Sequence, residues 1–222
     1  MKLRIKFNKM NYLKYISHLD LMRLFERTFN RINLPIEYSN GFNPKPKISI
    51  ASPLSLGIES EEEWMDIDVL EEIDLEAFME DANSVLPDDI QILHSEYIED
   101  NTPIAALITW ACYDSSFLLL EDLSQADILS KLDNWICKDE ILIKRHRKKG
   151  RRKILVTENI VDLMKEVRIK TFNQGKIVLS AVLKIGESGT LRPKDFIDAF
   201  IEDNDLKVDP ASISFKRTGQ RI

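Results

Sequence analysis

The chain has 222 residues, of which 44% are hydrophobic, and its formal net charge at pH 7 is −6. This size and apolar content suffice for one large core or two small ones. The sequence contains no run of about 18 apolar residues, as a membrane-spanning helix would require. The first residues, MKLRIKFNKMNYLKY, lack the apolar segment of a signal peptide. We therefore expect a cytoplasmic protein that does not enter a membrane.

Charge is strongly segregated along the chain. Residues 1–50 carry ten Lys or Arg against three Asp or Glu, whereas residues 51–110 carry seventeen acidic residues and no Lys or Arg. Residues 111–222 carry twenty-one basic and seventeen acidic residues. The net charge is therefore a poor guide to partners, because a basic face and an acidic face can serve different ones.

The two cysteines, Cys112 and Cys137, are far apart in the sequence. Two thiols are too few for a disulfide framework, a zinc site or an iron–sulfur cluster. Free cysteine usually behaves as a small apolar residue, so we expect both to be buried. No metal site is predicted.

The first hundred residues predict alternating strands and helices. Period-two alternation predicts a strand over residues 3–9. Ser17 is the predicted N-cap of a helix, with Asp20 three residues later as in a capping box, and the helix must end before Pro35. The turn-rich segment YSNGFNPKPK predicts an ordered loop at 38–47. Two strands (47–58 and 63–70), a helix (74–86) and a strand (90–98) follow.

The second half repeats this order. Its predicted elements are a strand (106–113), a helix (126–136), two strands around a basic turn at Gly150 (140–156), a hairpin (167–172 and 176–185), a helix (193–201) and a strand (212–217). We predict an α+β fold of two tandem ferredoxin-like (βαββαβ) units with antiparallel sheets, covering 1–100 and 103–222. The basic hairpin 140–156 is an insertion in the second unit.

One side of the first predicted helix is basic. Arg23, Arg27 and Arg31 lie three, seven and eleven residues after Asp20, which places them on one side of the helix. Guanidinium groups bind phosphates and carboxylates through paired N–H groups. The row either binds an oxyanion ligand or is an ordinary solvated helix face.

Basic and aromatic side chains are interleaved in the loop that follows. Gly41 can adopt positive φ, and Pro44 restricts the backbone. Rings beside cations suit base stacking combined with phosphate binding, although Phe42 could instead anchor the loop in the core. The predicted ligand contacts of the helix and loop are His18, Arg23, Arg27, Arg31, Tyr38, Ser39, Phe42, Asn43, Lys45 and Lys47.

A second basic element is the predicted hairpin KRHRKKGRRK, which has eight Lys or Arg in ten residues. Such a ribbon can follow a phosphate backbone, with binding that depends steeply on salt. The alternative is an exposed hairpin whose charge prevents edge-to-edge aggregation. This much charge exceeds what edge protection needs and favours nucleic acid. The predicted contacts are Lys144, Arg145, Arg147, Lys148, Lys149, Arg151 and Arg152.

Groups able to catalyse a reaction are few. His18, Tyr38 and Lys45 are the only motif residues that could act as a general acid or base. No activated nucleophile accompanies His18, and no further ligand indicates a metal site. A binding role is therefore favoured over a catalytic one.

The stretch ESEEEWMDID (59–68) is acidic. Strand alternation places Asp66 on the face opposite the apolar residues. Asp66 could therefore pair with Arg23 or Lys47 and position the basic site. Alternatively, it belongs to a solvated acidic face.

A long segment of the sequence resembles a known family. SHLDLMRLFERTFNRINLPIEYSNGFNPKPKISIASPLSLGIES, followed by EEEWMDIDV, resembles the radical-SAM-linked protein family, a bacterial domain of unknown function. VDLMKEV, LRPKDF and FKRTG resemble the family's C-terminal pattern. Two positions depart from the family, since Lys45 stands where members usually carry His and Trp64 stands where they carry Tyr.

The resemblance implies a partner. Family members lie beside, or are fused to, a radical SAM protein with a B12-binding-like domain. Such a partner would carry S-adenosylmethionine and a 4Fe–4S cluster, with cobalamin as a further candidate. This chain has no CxxxCxxC motif, so we expect no cofactor on it.

Fold analogy and charge together indicate RNA as the ligand. Tandem ferredoxin-like folds are similar to RNA-processing proteins of the Cas6 type and to some pseudouridine synthases. We expect an RNA-binding accessory protein that presents a tRNA or rRNA substrate to a radical SAM partner. The alternatives are an RNA-processing enzyme, either a ribonuclease or an RNA-modifying enzyme, and a protein adaptor that docks through the acidic 59–100 stretch without RNA affinity.

Overall fold

The computed structural model describes residues 1–99, 102–149, 152–186 and 189–222. Within these residues the fold is mixed α+β, as predicted. The chain divides into two compact units, Met1–Thr109 together with Lys216–Ile222, and Trp110–Phe215. The sequence placed the boundary near residues 100–103, but in the structure the first unit extends to Thr109 and includes the C-terminal residues.

The secondary-structure elements follow in chain order. The first unit contains β1 (Lys2–Lys9), a 3₁₀ turn (Asn11–Tyr15), α1 (His18–Arg31), β2 (Ile48–Ile50), β3 (Ile58–Asp68), α2 (Leu75–Val85), β4 (Ile92–Ile98) and α3 (Ile104–Leu107). The second unit contains β5 (Trp110–Leu119), α4 (Gln125–Ile136), β6 (Leu142–Lys149), β7 (Arg152–Asn159), a 3₁₀ turn (Val161–Leu163), β8 (Met164–Asn173), β9 (Lys176–Lys184), α5 (Pro193–Asp203) and residues 208–215 of β10 (Val208–Arg221).

In the first unit, the sheet is built around β1 and β3. The strand order is β4-β1-β3, and β2 also pairs with β3. β1 runs antiparallel to both neighbours, with Ile5 opposite Met65 of β3 and Ser95 of β4. The C-terminal residues of β10 follow β3 in the strand order. From β1 to β4 the element order is β-α-β-β-α-β, as predicted.

The core of the first unit lies between this sheet and the two longer helices. Ile5 and Phe7 of β1 are fully buried because alternate residues of the strand face the helices. Phe25 and Phe29 of α1 are also fully buried. The Phe7 and Phe25 rings meet edge to face at 4.8 Å between centroids. This packing orients α1, so that its opposite side faces solvent.

Two predicted strands are shorter or begin later than expected. β2 covers only residues 48–50, and the chain from 51 to 57 forms no strand. Pro53 lies in this stretch and lacks the N–H that a ladder requires. The predicted strand 106–113 begins instead as α3, and the strand starts at Trp110.

The second unit contains a comparable sheet. Its strand order is β10-β5-β9-β8, and the β5–β9 and β8–β9 pairs are antiparallel. β6 and β7 form a separate two-stranded hairpin, as predicted. Trp135 of α4 packs edge to face on Phe196 and Phe200 of α5, with centroids 5.6 and 5.3 Å apart.

The cysteines differ from expectation. Cys112 is half-buried, and Cys137 is exposed because it follows the last turn of α4. The prediction that both are buried is therefore wrong. Among the helices of the described residues, none is both long enough and apolar enough to cross a membrane.

Candidate nucleic-acid interface

The start of α1 is set by a local hydrogen-bond pair. The Asp20 backbone N–H donates to Ser17 Oγ at 3.2 Å, and Ser17 Oγ donates to the Asp20 carboxylate at 2.7 Å. Ser17 is thus the N-cap that the sequence predicted. The bond from Ser17 also lowers the pKa of Asp20 below its ordinary value.

Replacing this cap should weaken the protein modestly. Ser17→Ala removes the acceptor for the Asp20 N–H and should lower the free energy of unfolding by about 1 kcal/mol at neutral pH. A carboxylate whose pKa is lowered by folding contributes stability above its unfolded pKa and loses it as the pH falls. The difference between wild type and Ser17→Ala should therefore shrink in acid, where Asp20 is protonated. Chemical denaturation of both proteins at neutral and at acidic pH measures this difference in the free energy of unfolding, with Ser17→Asp as a control that retains a cap. An unchanged difference in acid would contradict the coupling to Asp20.

The solvent side of α1 carries the predicted arginines. Arg23, Arg27 and Arg31 are all exposed, on the side opposite the buried phenylalanines. Arg23 lies 3.3 Å from an oxygen of Asp20, an exposed pair that binds weakly. Within the described part of the chain, Arg27 and Arg31 form no ion pair. Two guanidiniums are therefore available for an external anion.

The loop at 38–47 is ordered by its own hydrogen bonds. Ser39 N donates to Lys45 O at 2.8 Å, and Lys45 N donates to Ser39 Oγ at 3.0 Å. Lys47 N donates to the carbonyl of Glu37 at 2.9 Å. Gly41 has φ of 141°, in the region that favours glycine, as predicted. The Ser39 hydroxyl thus ties the loop together.

A hydrogen bond joins the loop to α1. The Tyr38 hydroxyl donates to Asn30 Oδ1 at 3.3 Å, and Asn30 lies on α1 between Arg27 and Arg31. The Phe42 ring at the loop tip is fully exposed, so it does not anchor the loop in the core. We call this combined region the α1–loop surface. Its members are Arg23, Arg27, Arg31, Tyr38, Phe42 and Lys45.

Two further predicted loop residues have different environments. Lys47 pairs with Glu37, and this hydrogen bond raises the pKa of Lys47 and lowers that of Glu37. Its charge is already balanced, so Lys47 contributes less to an anion site than Lys45 does. Asn43 and Pro44 are exposed at the loop tip.

Only two of the three catalytic candidates lie close together, since Tyr38 and Lys45 share the 38–47 loop whereas His18 does not. His18 is the first residue of α1, whereas Tyr38 contacts Asn30 near the helix end. Twelve residues of helix separate these points by about 18 Å. An acid and a base this far apart cannot act on the same phosphate. Across the described residues, no group of three or more His, Cys, Asp or Glu side chains is placed to hold a metal ion.

Asp66 does not pair with either predicted partner. Its carboxylate accepts hydrogen bonds from Arg4 Nε at 2.8 Å and from the Ile104 backbone N–H at 2.9 Å. Both Arg4 and Asp66 are buried. The predicted pairing with Arg23 or Lys47 is therefore wrong. The apolar face of β3 was placed correctly, and Asp66 instead holds the start of α3 within the first unit.

A second buried ion pair in the first unit was missed by sequence reasoning. Arg217 Nη1 lies 2.9 and 3.0 Å from the two carboxylate oxygens of Glu63, and both side chains are almost fully buried. Gln220 Nε2 donates to the same carboxylate at 3.2 Å. Burial raises the pKa of Glu63, and Arg217 opposes this shift. Strand alternation places Glu63 on the same face as the core residues Met65 and Ile67. This position was the signal in the sequence that Glu63 would be buried.

The basic hairpin in the second unit is only partly described. Arg145 pairs with Glu158 and donates to the Thr190 carbonyl at 2.6 Å, which gives it a structural role. Lys144 is exposed and lines a cleft of about 400 Å³ that also contains four α5 carboxylates, including Asp195. Arg151, and the side chains of Arg147, Lys148, Lys149 and Arg152, lie outside the described part of the chain.

One protein family matches most of the sequence. The family described as "Uncharacterized protein conserved in bacteria (DUF2344)" matches residues 2–193. The chain belongs to this family. The description gives DUF2344 no activity, and no curated protein matches the chain.

Among solved structures, a chain of "Crystal Structure of a Cbf5-Nop10-Gar1 Complex" is similar, with a TM-score of 0.56 at 9% sequence identity. The similarity covers 98% of this DUF2344 chain and 48% of the solved chain. The present chain therefore spans about half the length of the solved one. At this identity, the likeness concerns the fold alone.

Proposed function

We propose that this DUF2344 protein is an RNA-binding accessory protein whose α1–loop surface holds single-stranded or looped RNA. The observation that carries the proposal is the combination of unpaired guanidiniums with a fully exposed aromatic ring in an ordered loop. An aromatic ring stabilises a fold when it is buried. Phe42 is exposed, so its ring does not stabilise the core. A ring held in solvent on the same loop as the exposed Lys45 suits a stacked base and its phosphates.

The geometry favours RNA with unpaired bases over a duplex. A duplex conceals its base faces, whereas loops and single strands expose them for stacking on aromatic side chains. Arg27 and Arg31 lie about 6 Å apart along the helix axis, a spacing suited to neighbouring phosphates. The Tyr38–Asn30 contact keeps the loop beside these charges.

The fold supports the same proposal by analogy. We interpret both units as ferredoxin-like. Apart from the hairpin insertion, each has the order β-α-β-β-α-β, and in each sheet the first strand lies between the third and the fourth.

We further propose that the protein presents a tRNA or rRNA to a radical SAM partner. The resemblance of the SHLD and GFNPKPK segments to the radical-SAM-linked family supports this step. The partner, and not this chain, would supply S-adenosylmethionine and iron–sulfur chemistry.

Binding of a labelled single-stranded RNA, measured over a range of salt concentrations, tests the proposal. Wild type should bind at low salt and lose affinity steeply as salt rises. Phe42→Ala should weaken binding roughly 5- to 150-fold without changing the salt dependence, because stacking involves no charge. Phe42→Tyr retains a ring and should bind like wild type.

Three outcomes would contradict the proposal. Absence of binding at low salt would contradict RNA affinity, and retained capture of a radical SAM protein would then favour the adaptor. Equal binding by Phe42→Ala and wild type would remove the stacking role. RNA cleavage that His18→Ala abolishes would indicate an enzyme.

A further inference from the structure

A second aromatic site lies at the other end of α1. The 3₁₀ turn Asn11–Tyr15 precedes α1 and lines a cleft of about 490 Å³. Tyr12 is 84% exposed and Tyr15 is 65% exposed. The residues lining the cleft are Asn11, Tyr12, Lys14, Tyr15 and Asp89.

The 3₁₀ geometry explains why both tyrosines face outward. This helix has about three residues per turn, so residues three apart lie one above the other. Leu13 and Ile16 form one such pair and pack against the core. Tyr12 and Tyr15 form the next pair, and they consequently lie together on the outer side. Their Cα atoms are separated by roughly 6 Å along the axis.

The turn is held rigidly by contacts around it. Asn11 Nδ2 donates to Asp89 Oδ1 at 2.6 Å, and Met10 N donates to the Asp89 carbonyl at 2.9 Å. Gly57 N donates to the Lys14 carbonyl at 2.9 Å. Lys14 Nζ lies 3.0 Å from Glu59 Oε1, a bond that raises the pKa of Lys14. The cleft is therefore preformed, which reduces the ordering cost of binding.

We propose that this cleft binds an unpaired nucleobase of the RNA held by the α1–loop surface. The inference rests on the proposed function and adds a second base site. The Cα atoms of the two tyrosines are spaced by about 6 Å along the axis, which approaches the roughly 6.8 Å between bases that flank a third in a stack. The Asn11 amide and the Asp89 carboxylate at the rim can hydrogen-bond to base edges. Lys14 lies 5.5 Å from the centre of the Tyr15 ring, and its charge is balanced by Glu59, so the rings and not the cation carry the base site.

The two aromatic sites lie at opposite ends of the arginine row. Tyr15 is two residues before the N-cap of α1, and the Tyr38–Asn30 contact lies in the last turn. The fourteen residues of α1 span about 21 Å. A strand of a few nucleotides covers this length, with phosphates on Arg23, Arg27 and Arg31 and a base at each end. This arrangement favours RNA over a protein partner in the cleft.

The test compares two probes, a short fluorescent polyuridylate and an abasic ribose-phosphate oligomer of equal length. Tyr12→Ala and Tyr15→Ala should each weaken polyuridylate binding roughly 5- to 150-fold and leave abasic binding unchanged. Tyr12→Phe and Tyr15→Phe retain the ring and should bind like wild type. Because both tyrosines are exposed, thermal unfolding should be unaffected. Photocrosslinking of 5-iodouridine RNA should label Tyr12 or Tyr15.

The failure modes are distinguishable. If wild type binds polyuridylate and the alanine variants bind equally well, the cleft proposal is wrong while the α1–loop proposal stands. If wild type binds neither probe at low salt, the proposed function fails and the cleft proposal fails with it. Loss of a protein partner in the alanine variants, with RNA binding intact, would show that the cleft is a protein-docking surface. Equal losses for both probes would also overturn base stacking.

Discussion

Glu63→Gln should lower the free energy of unfolding by about 3–5 kcal/mol, the usual cost of removing one partner of a buried ion pair. The substitution preserves shape but leaves the Arg217 guanidinium without its carboxylate. Lys9, which is 2% exposed, would also lose the stabilising negative charge of Glu63, and burial already lowers the pKa of Lys9. Two buried cations would then remain in the first unit. Urea denaturation, monitored by circular dichroism, measures the change.

Glu61→Gln is the matched control. Glu61 lies two residues away on β3 and pairs with Lys216 at 3.1 Å, but both side chains are substantially exposed. Its loss should cost less than about 1 kcal/mol. Replacing Glu63 and Arg217 together by methionine should restore part of the lost stability, because the buried guanidinium is removed along with its carboxylate, while Lys9 still lacks the Glu63 charge. If Glu63→Gln were as mild as Glu61→Gln, the pair would not be the buried, charged contact described above.

The second large effect is expected at the arginines of α1. Arg27→Gln/Arg31→Gln should weaken RNA binding roughly 10- to 100-fold at low salt, because two charge-assisted contacts are lost. The slope of log affinity against log salt should become shallower by about 1.4, since each phosphate contact to a single strand contributes about 0.7. Stability should change little because both side chains are exposed. Fluorescence anisotropy over a salt series gives both quantities.

Two controls separate specific contacts from general charge. Lys176→Gln/Lys207→Gln removes the same number of exposed cations from the second unit and should leave the affinity nearly unchanged. Arg27→Lys/Arg31→Lys retains the charge but loses the paired N–H groups, so the slope should persist while the affinity falls. Equal effects in the glutamine variants of both units would mean that only net charge matters, and would contradict a defined site on α1.

Local chemistry predicted the helix start and the loop. Ser17 caps α1 because its side chain acts on a backbone N–H three residues away, an interaction that sequence spacing alone defines. Gly41 adopts positive φ because a turn needs a residue without Cβ. The alternation in β3 likewise identified the core side of the strand. Each of these depends on neighbours within a few residues.

Long-range pairing was not predictable in the same way. Asp66 was matched with Arg23 or Lys47, but it binds Arg4, sixty-two residues away. Glu63 binds Arg217 across 154 residues. A single sequence carries no information on which of many arginines will reach a buried carboxylate, because strand order decides this. The exposure of Phe42 could not be predicted for the same reason. The local sequence does not distinguish an aromatic loop residue that is buried in the core from one that is exposed to solvent.

Short-range periodicity and composition were enough to predict the alternation of strands and helices, the basic side of α1, the ordered loop and the segregation of charge. The tertiary structure was needed to show that the loop contacts α1 through Tyr38 and Asn30. It also placed His18 far from Tyr38 and turned the two tyrosines of the 3₁₀ turn outward around a cleft. Those features depend on which buried side chains pack together, and burial is a property of the whole fold.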